Sequence, residues 1–443
     1  MKSDVVIIGG GVSGLATGAL LAKAGKRVTV LEKGNQPGGR AYTYEDKGFT
    51  LNYGPHAIYR PETGVLHALF ARLGVAAPSF GFVEPTHAFW SDHGRFGALG
   101  ARPHEVLRTP LFPLASRAKL LPLMAAIRFA KPSQLAGETY GAWVERHSAD
   151  PRIRRFALAL GTVNTYARPS SLLSAEFVVG HLQRNAFSKD YVGYMSGGWR
   201  SMYDRFIDVI GANGGALVTG ARVERIETEA GRALAAVTPD ARYEADAFVS
   251  TLPPQAAPAL ADDATPLHAE LARHAGVEDV RAICMDLGFN RRLRSELSYI
   301  FDIERDLYYS VHSEVTPDLA PAGSQLLHAM AYLSPEEAAD DRLLAARRDA
   351  LVAGLDRWFT GWRDALAVER TLPKVIVCSL RQTPEQRPLR LPLRAASTPN
   401  LYFAGDARDL EGNLTEICLL SAMEAAATVT ATRLPDHTST AVA

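Results

Sequence analysis

Three glycines, one acid and a second glycine pair ending in arginine stand within the first 40 residues, in "VVIIGGGVSGLATGALLAKAGKRVTVLEKGNQPGGR" (residues 5–40). Gly9, Gly11 and Gly14 fit G-x-G-x-x-G. Gly9 permits a tight turn, Gly11 lets backbone approach a pyrophosphate, and Gly14 allows close helix–strand packing. Glu32 follows eighteen residues after Gly14, where an acid can accept hydrogen bonds from ribose hydroxyls. A helix N-terminus between them offers free N–H groups and partial positive charge to a phosphate. The chemistry is dinucleotide binding.

Elements must hold these residues in place. The apolar run at 5–8 reads as a fully buried parallel strand. Leu15, Ala19, Leu21 and Ala22 continue at helical spacing, Gly25 stops the helix, and 28–31 is a second strand ending at Glu32.

Gly38-Gly39-Arg40 adds more backbone N–H groups and a permanent cation directly after the acid. With Thr43 this stretch resembles the FAD-binding start of the flavin amine oxidase and phytoene desaturase superfamily, which reads R-x-G-G-R and then T; Asn35 or Gln36 stands where the first Arg is expected. "LNYGPHAIY" (51–59) is similar to the family's next element, which implies that Gly54 and Pro55 lie against the flavin ring. "NLYFAGDARDLEGNLTEICLLSAMEAA" contains a strand at 401–404, then Gly405-Asp406, then a helix with small residues on one face. The resemblance implies that Asp406 contacts the ribityl or pyrophosphate part of FAD. It also implies that Thr415 presents its N–H to the flavin and that Val223 meets adenine through its backbone. The phrase from Glu411 onward is most like the phytoene-dehydrogenase-related branch.

The chain's 443 residues can bury a large core, expected as two domains. The fold class expected is α/β: a Rossmann-type FAD-binding domain, with helices on a parallel sheet, plus an α+β substrate domain with an antiparallel sheet. The FAD domain is expected from three pieces, 1–70, 193–265 and 385–434, with strands at 216–219 and 223–227 and a strand ending at a proline turn over 245–254. The substrate domain takes 71–192 and 266–384, and 435–443 is expected to be a disordered tail. "RAICMDLGFN", "LYYSVHSEV" and "SQLLHAMAYL" read as strands, and 335–359 as one amphipathic helix. With 48 basic and 48 acidic residues the charge balance gives no nucleic-acid footprint. No signal peptide or eighteen-residue apolar stretch is read, and Cys284, Cys378 and Cys418 form no C-x-x-C pair. No metal site is read, and a cytoplasmic location is expected. Segment 111–132 has two readings: a membrane-surface segment, or a buried helix roofing the substrate cavity.

A flavin carries the redox chemistry, so the substrate must be read from its surroundings. Many amine oxidases place a lysine near the flavin from the substrate sheet, which assists reaction with oxygen. This chain has none from 190 through 373, so oxygen or a quinone stays open as acceptor. Aligning the C-terminal helix with the family puts Leu414 at an aromatic-cage position, and an aliphatic side chain gives an amine no cation–π attraction. Both departures point to hydride removal from carbon in a largely apolar substrate. An amine oxidase, a redox-neutral isomerase and a non-catalytic flavin-binding subunit remain as alternatives. His56 is the candidate acid–base group, and Tyr53, Tyr59, Trp199 and Tyr309 either line a pocket or fill the core. Cys378 lies near the family's flavin-linking cysteine, but "VIVCSLRQ" lacks the S-G-G-C-Y setting, so non-covalent FAD is expected.

Overall fold

The computed structural model describes residues 2–54, 57–84, 87–98, 108–185, 188, 190–294 and 297–431. The tail at 435–443 therefore lies outside the described residues. A parallel sheet runs, from one edge, Ala216–Val218, Val28–Leu31, Ser3–Ile8, Arg242–Ser250 and Leu401–Phe403. The first half of Arg242–Ser250 also pairs antiparallel with Arg232–Val237, which pairs with Arg225–Glu229. Val5 and Ile7 enter one core, while Val6 and Ile8 enter another on the opposite face. A strand covered on both faces needs an unbroken apolar run, which explains 5–8.

The Val12–Lys23 helix is almost wholly buried and packs on the Leu414–Ala431 helix through alanines on both sides. The sequence reading found no apolar stretch near membrane-spanning length. Leu414–Ala431 is in fact the one helix among the described residues long and apolar enough. It packs against Val12–Lys23 and Val65–Leu73.

A second sheet is mainly antiparallel, in the order Leu366–Cys378, Val280–Phe289, Gln325–Leu333, Leu307–Ser310, Tyr299–Asp302, Ala88–Asp92 and Arg95–Ala98. Its inner face joins the core beneath the helices Leu114–Phe129, Tyr140–His147, Pro151–Thr165 and Ala175–Asn185. Its outer face packs under the Asp341–Trp358 helix.

Several expectations need correction. Strand 216–219 stops at Val218, 401–404 at Phe403, and the strand expected at 223–227 starts at Arg225, leaving Val223 in the preceding loop. "SVHSEV" leaves its strand for a helix at His312–Val315. The single helix over 335–359 is two, Pro335–Ala339 and Asp341–Trp358, because the Asp340 side chain accepts the N–H groups of Arg342 and Leu343 and starts a new helix. Tyr309 faces the outer core, its hydroxyl donating to the Leu351 carbonyl. Period-2 alternation turns Tyr308 inward instead. Segment 111–132 carries the Leu114–Phe129 helix, which buries one face in the core and exposes the other.

Replacing Asp340 with Ala removes the cap of the long helix. The urea midpoint should fall by the equivalent of about 1 kcal/mol, with flavin content unchanged.

Candidate functional site

The two glycine clusters meet backbone to backbone. Gly38 donates to the Gly10 carbonyl at 2.9 Å, and Gly11 and Gly38 form a parallel bridge. A Cβ on Gly39 would lie 3.1 Å from the Gly11 Cα, and Gly39 has φ +57°. A Cβ on Gly14 would lie 1.9 Å from the Gly9 carbonyl oxygen, so only glycine lets this helix start so close to its strand. Gly9 itself has φ +106°.

Glu32 is buried at the end of its strand. Its Oε2 accepts the Gly10 N–H and its Oε1 the Gly34 N–H, both at 2.7 Å. Its own N–H and carbonyl bond Val218 and Ala221, which places Val223 two residues beyond the same corner.

This corner fits a dinucleotide phosphate. Gly11, the N-cap of the Val12–Lys23 helix, provides no side-chain cap, so it leaves the first-turn N–H groups to a ligand. A Cβ on Gly11 would meet nothing closer than 4.0 Å, unlike those on its neighbours. The cradle is open on the side a ligand would enter.

Arg40 and Asp406 join the ends of the chain: Nη1 of Arg40 lies 2.7 Å from Oδ2 of Asp406 and also reaches the Val377 carbonyl. The Ser379 N–H donates to the same carboxylate oxygen at 2.8 Å. Burial alone would raise the Asp406 pKa, but the charge and hydrogen bond of Arg40 and the Ser379 donor pull it down to about 2. Gly405, at φ +138°, donates to Ser421 on the C-terminal helix. Burial pushes the Cys378 thiol up and Cys418 up to about 12, with the Asp406 charge acting in the same sense. Both stay protonated at neutral pH, a poor state for covalent attachment.

Gly54 has φ +76°, and the Asn52 carbonyl before it accepts from Arg370 at 2.6 Å. Pro55 and His56 lie outside the described residues. Leu414 starts its helix at φ +50°, a left-handed conformation unusual for a leucine. Leu414 and Thr415 line a small cavity with Ala57, Ile58, Tyr59 and Val65. Tyr59 stands edge-on to His181, its ring 4.8 Å away and its hydroxyl on the Asn164 carbonyl. Tyr53 packs against the inner-face core, while Trp199 belongs to the core under the parallel sheet. Of the four candidate aromatics, Tyr53 and Tyr59 thus face the interior beside Leu414, and Trp199 and Tyr309 do not.

Sequence reasoning missed a polar row across the inner sheet face. Arg370 pairs with Asp286, Asp286 with His328, His328 with Ser310 and Ser310 with Tyr299 in register. Nδ1 of His328 lies 2.8 Å from Oδ1 of Asp286, and Nε of Arg370 lies 3.0 Å from Oδ2. The next row is Leu372, Cys284, Met330, Tyr308, Phe301 and Trp90. The Tyr194 and Tyr308 hydroxyls are 2.6 Å apart. Burial raises the pKa of Tyr59, Tyr166, Tyr194, Tyr299, Tyr308 and Tyr332, keeping all of them neutral. Burial, with help from Arg184 and Arg60, lowers His181 to about 3, so it too is neutral. A single Asp and a single His inside apolar strands were the available signal, legible only once register was known.

Residues 12–430 match the family described as flavin containing amine oxidoreductase, and the chain belongs to it. It is 51% identical to all-trans-retinol 13,14-reductase of Macaca fascicularis over 63 residues, 14% of this chain and 10% of that protein. It is 40% identical to the lycopene-forming phytoene desaturase of Pantoea ananas over 84 residues, 19% of this chain and 17% of that protein. The matched stretches thus span less than a fifth of these relatives. The fold is similar to an oxidoreductase from Methanosarcina mazei, with TM-score 0.79 and 22% identity over 96% of this chain and 99% of that one. It is also similar to putrescine oxidase, with TM-score 0.73 and 16% identity over 98% of this chain and 100% of that one.

Because the folded Asp406 pKa lies below its ordinary 3.8, this carboxylate stabilises the fold above that value. The contribution disappears as pH falls towards 2: roughly 1 kcal/mol is lost by pH 3 and about 2 kcal/mol by pH 2. Urea unfolding of the apoprotein should show Asp406→Asn less stable at neutral pH, with a shallower decline in acid. Parallel acid declines would refute the assignment.

Proposed function

We propose that this flavin oxidoreductase uses non-covalent FAD to remove hydride from carbon in a largely apolar small molecule, by desaturation or dehydrogenation. The observation that carries the reading is the inner sheet face, an aromatic wall whose tyrosines are all neutral. Asp286 in the polar row is engaged by His328 and Arg370, and Asp92 on the same side by Arg155, which supports an uncharged substrate over an ammonium. The short match to phytoene desaturase supports the same chemistry, and the one to retinol 13,14-reductase supports redox at carbon in the opposite direction.

The proposed cofactor contacts rest on the corner geometry together with the family resemblance. Gly9, Gly11 and Gly14, with the first turn of Val12–Lys23, take the pyrophosphate. Glu32 takes ribose hydroxyls, and the Val223 backbone borders the adenine. Gly38, Gly39 and Arg40 face the cofactor from the second turn, with Asp406 and Gly405 completing it from the far end of the chain. Gly54 and Pro55, with Leu414 and Thr415, flank the ring, and His56 is proposed as the acid–base group. When bound, the flavin supplies the two-electron centre that accepts hydride. Tyr59, Tyr308 and their neighbours hold the substrate and exclude water.

The purified protein should be yellow and should release free FAD on acid precipitation. Glu32→Ala removes a charge-assisted acceptor and frees the Gly10 and Gly34 turns, so FAD affinity should fall roughly 10- to 100-fold. An unchanged affinity in a titration of apoprotein would mean that Glu32 is not at the ribose.

Anaerobic stopped-flow measurements should show flavin bleaching by conjugated apolar substrates and little by primary amines. With no lysine from 190 to 373, air reoxidation should be slow and quinones the better acceptors. Rapid bleaching by a common amine with fast peroxide formation would identify an amine oxidase; no bleaching by any class would favour a non-catalytic subunit.

A further inference from the structure

The Leu114–Phe129 helix is used by the core on one side only. Ser116, Leu120, Leu123 and Ile127 are buried. Leu114, Ala118, Pro122, Ala125 and Phe129 recur every three or four residues and form one exposed stripe. Leu114 and Phe129, at its ends, are 77% and 78% exposed, the most exposed large apolar side chains among the described residues.

Charge accompanies the stripe. Arg108, Arg117, Lys119, Arg128 and Lys131 fall between residues 108 and 137 without any Asp or Glu, in a chain whose 48 basic and 48 acidic residues cancel. The Asp150 carboxylate, which caps the Pro151–Thr165 helix, is paired with Lys119 at 2.9 Å. The Arg128 guanidinium sits 5.8 Å over the Phe129 ring.

We propose that this stripe docks on an anionic lipid surface, Leu114 and Phe129 entering the headgroup–acyl boundary while the cations face the headgroups. A second copy of the chain fits worse, because a two-fold pairing sets the same cations against each other. The inference stands independently of the reaction proposed above.

The test is cosedimentation of the full chain with vesicles of phosphatidylcholine, with or without about 30 per cent phosphatidylserine, at low and high salt. The wild type should bind the anionic vesicles, and lose binding in pure phosphatidylcholine or high salt. Leu114→Ser/Phe129→Ser and Arg128→Glu/Lys131→Glu should each weaken binding by at least about tenfold, with unchanged urea midpoints. The single Phe129→Ser change, at the last helical residue, should weaken binding without disturbing the helix. The proposal is overturned if the wild type ignores anionic vesicles at low salt or if all variants bind like the wild type. It is also overturned if lipid-free dimers form that Leu114→Ser/Phe129→Ser dissolves.

Discussion

The Glu32 carboxylate ties two turns together, one oxygen on the Gly10 N–H and the other on the Gly34 N–H, beside the Gly38 N–H that donates to the Gly10 carbonyl. A buried carboxylate demands such donors, and backbone amides are the strongest neutral ones available. The arrangement forces backbone against backbone, since a Cβ on Gly10 would come within 2.8 Å of the Glu32 Cβ. Glycine at these positions is therefore a consequence of where the acid sits. The same acid that is proposed to meet ribose also shapes the cradle for the phosphates.

A second tie makes the remote segments part of that corner. Arg40 and Asp406 are separated by 366 positions, and Asp406 also takes the Ser379 N–H just after the long strand Leu366–Cys378. That strand passes from Arg370, which grips Asp286 and the Asn52 carbonyl, to Val377, whose carbonyl reaches Arg40. One strand of the second sheet thus braces both the strand end before Gly54 and the Arg40–Asp406 pair. The two sheets are positioned by polar contacts at either end of it.

The parts that were legible in the sequence were governed by local rules. Gly9, Gly11, Gly14 and Glu32 follow turn and strand chemistry within a few dozen residues, and the apolar run at 5–8 could be only a strand buried on both faces. What was not legible depended on parity, capping or register. Tyr309 and Tyr308 differ by one position and face opposite cores. Asp340 reads as one more acid on a helix until its side chain is seen to start the next. His328 and Asp286 meet across strands 42 positions apart, and no spacing rule links them.

That buried row explains more about placement than about stability. The Asp286 and Arg370 side chains are 3% and 17% exposed, and a charge pair withdrawn from water recovers little net free energy over an apolar pair of similar size. Its geometry is specific, however. Arg370 bonds Asp286 on its neighbouring strand and Asn52 at the end of the strand that leads to Gly54, while Asp286 orients His328 through Nδ1. An apolar pair would fill the same space without fixing the height of that strand end above the sheet. The row next to it, from Leu372 to Trp90, is free of charge. The charges of this row lie where backbone must be positioned, and the row beside it presents neutral aromatic surface suited to an apolar molecule.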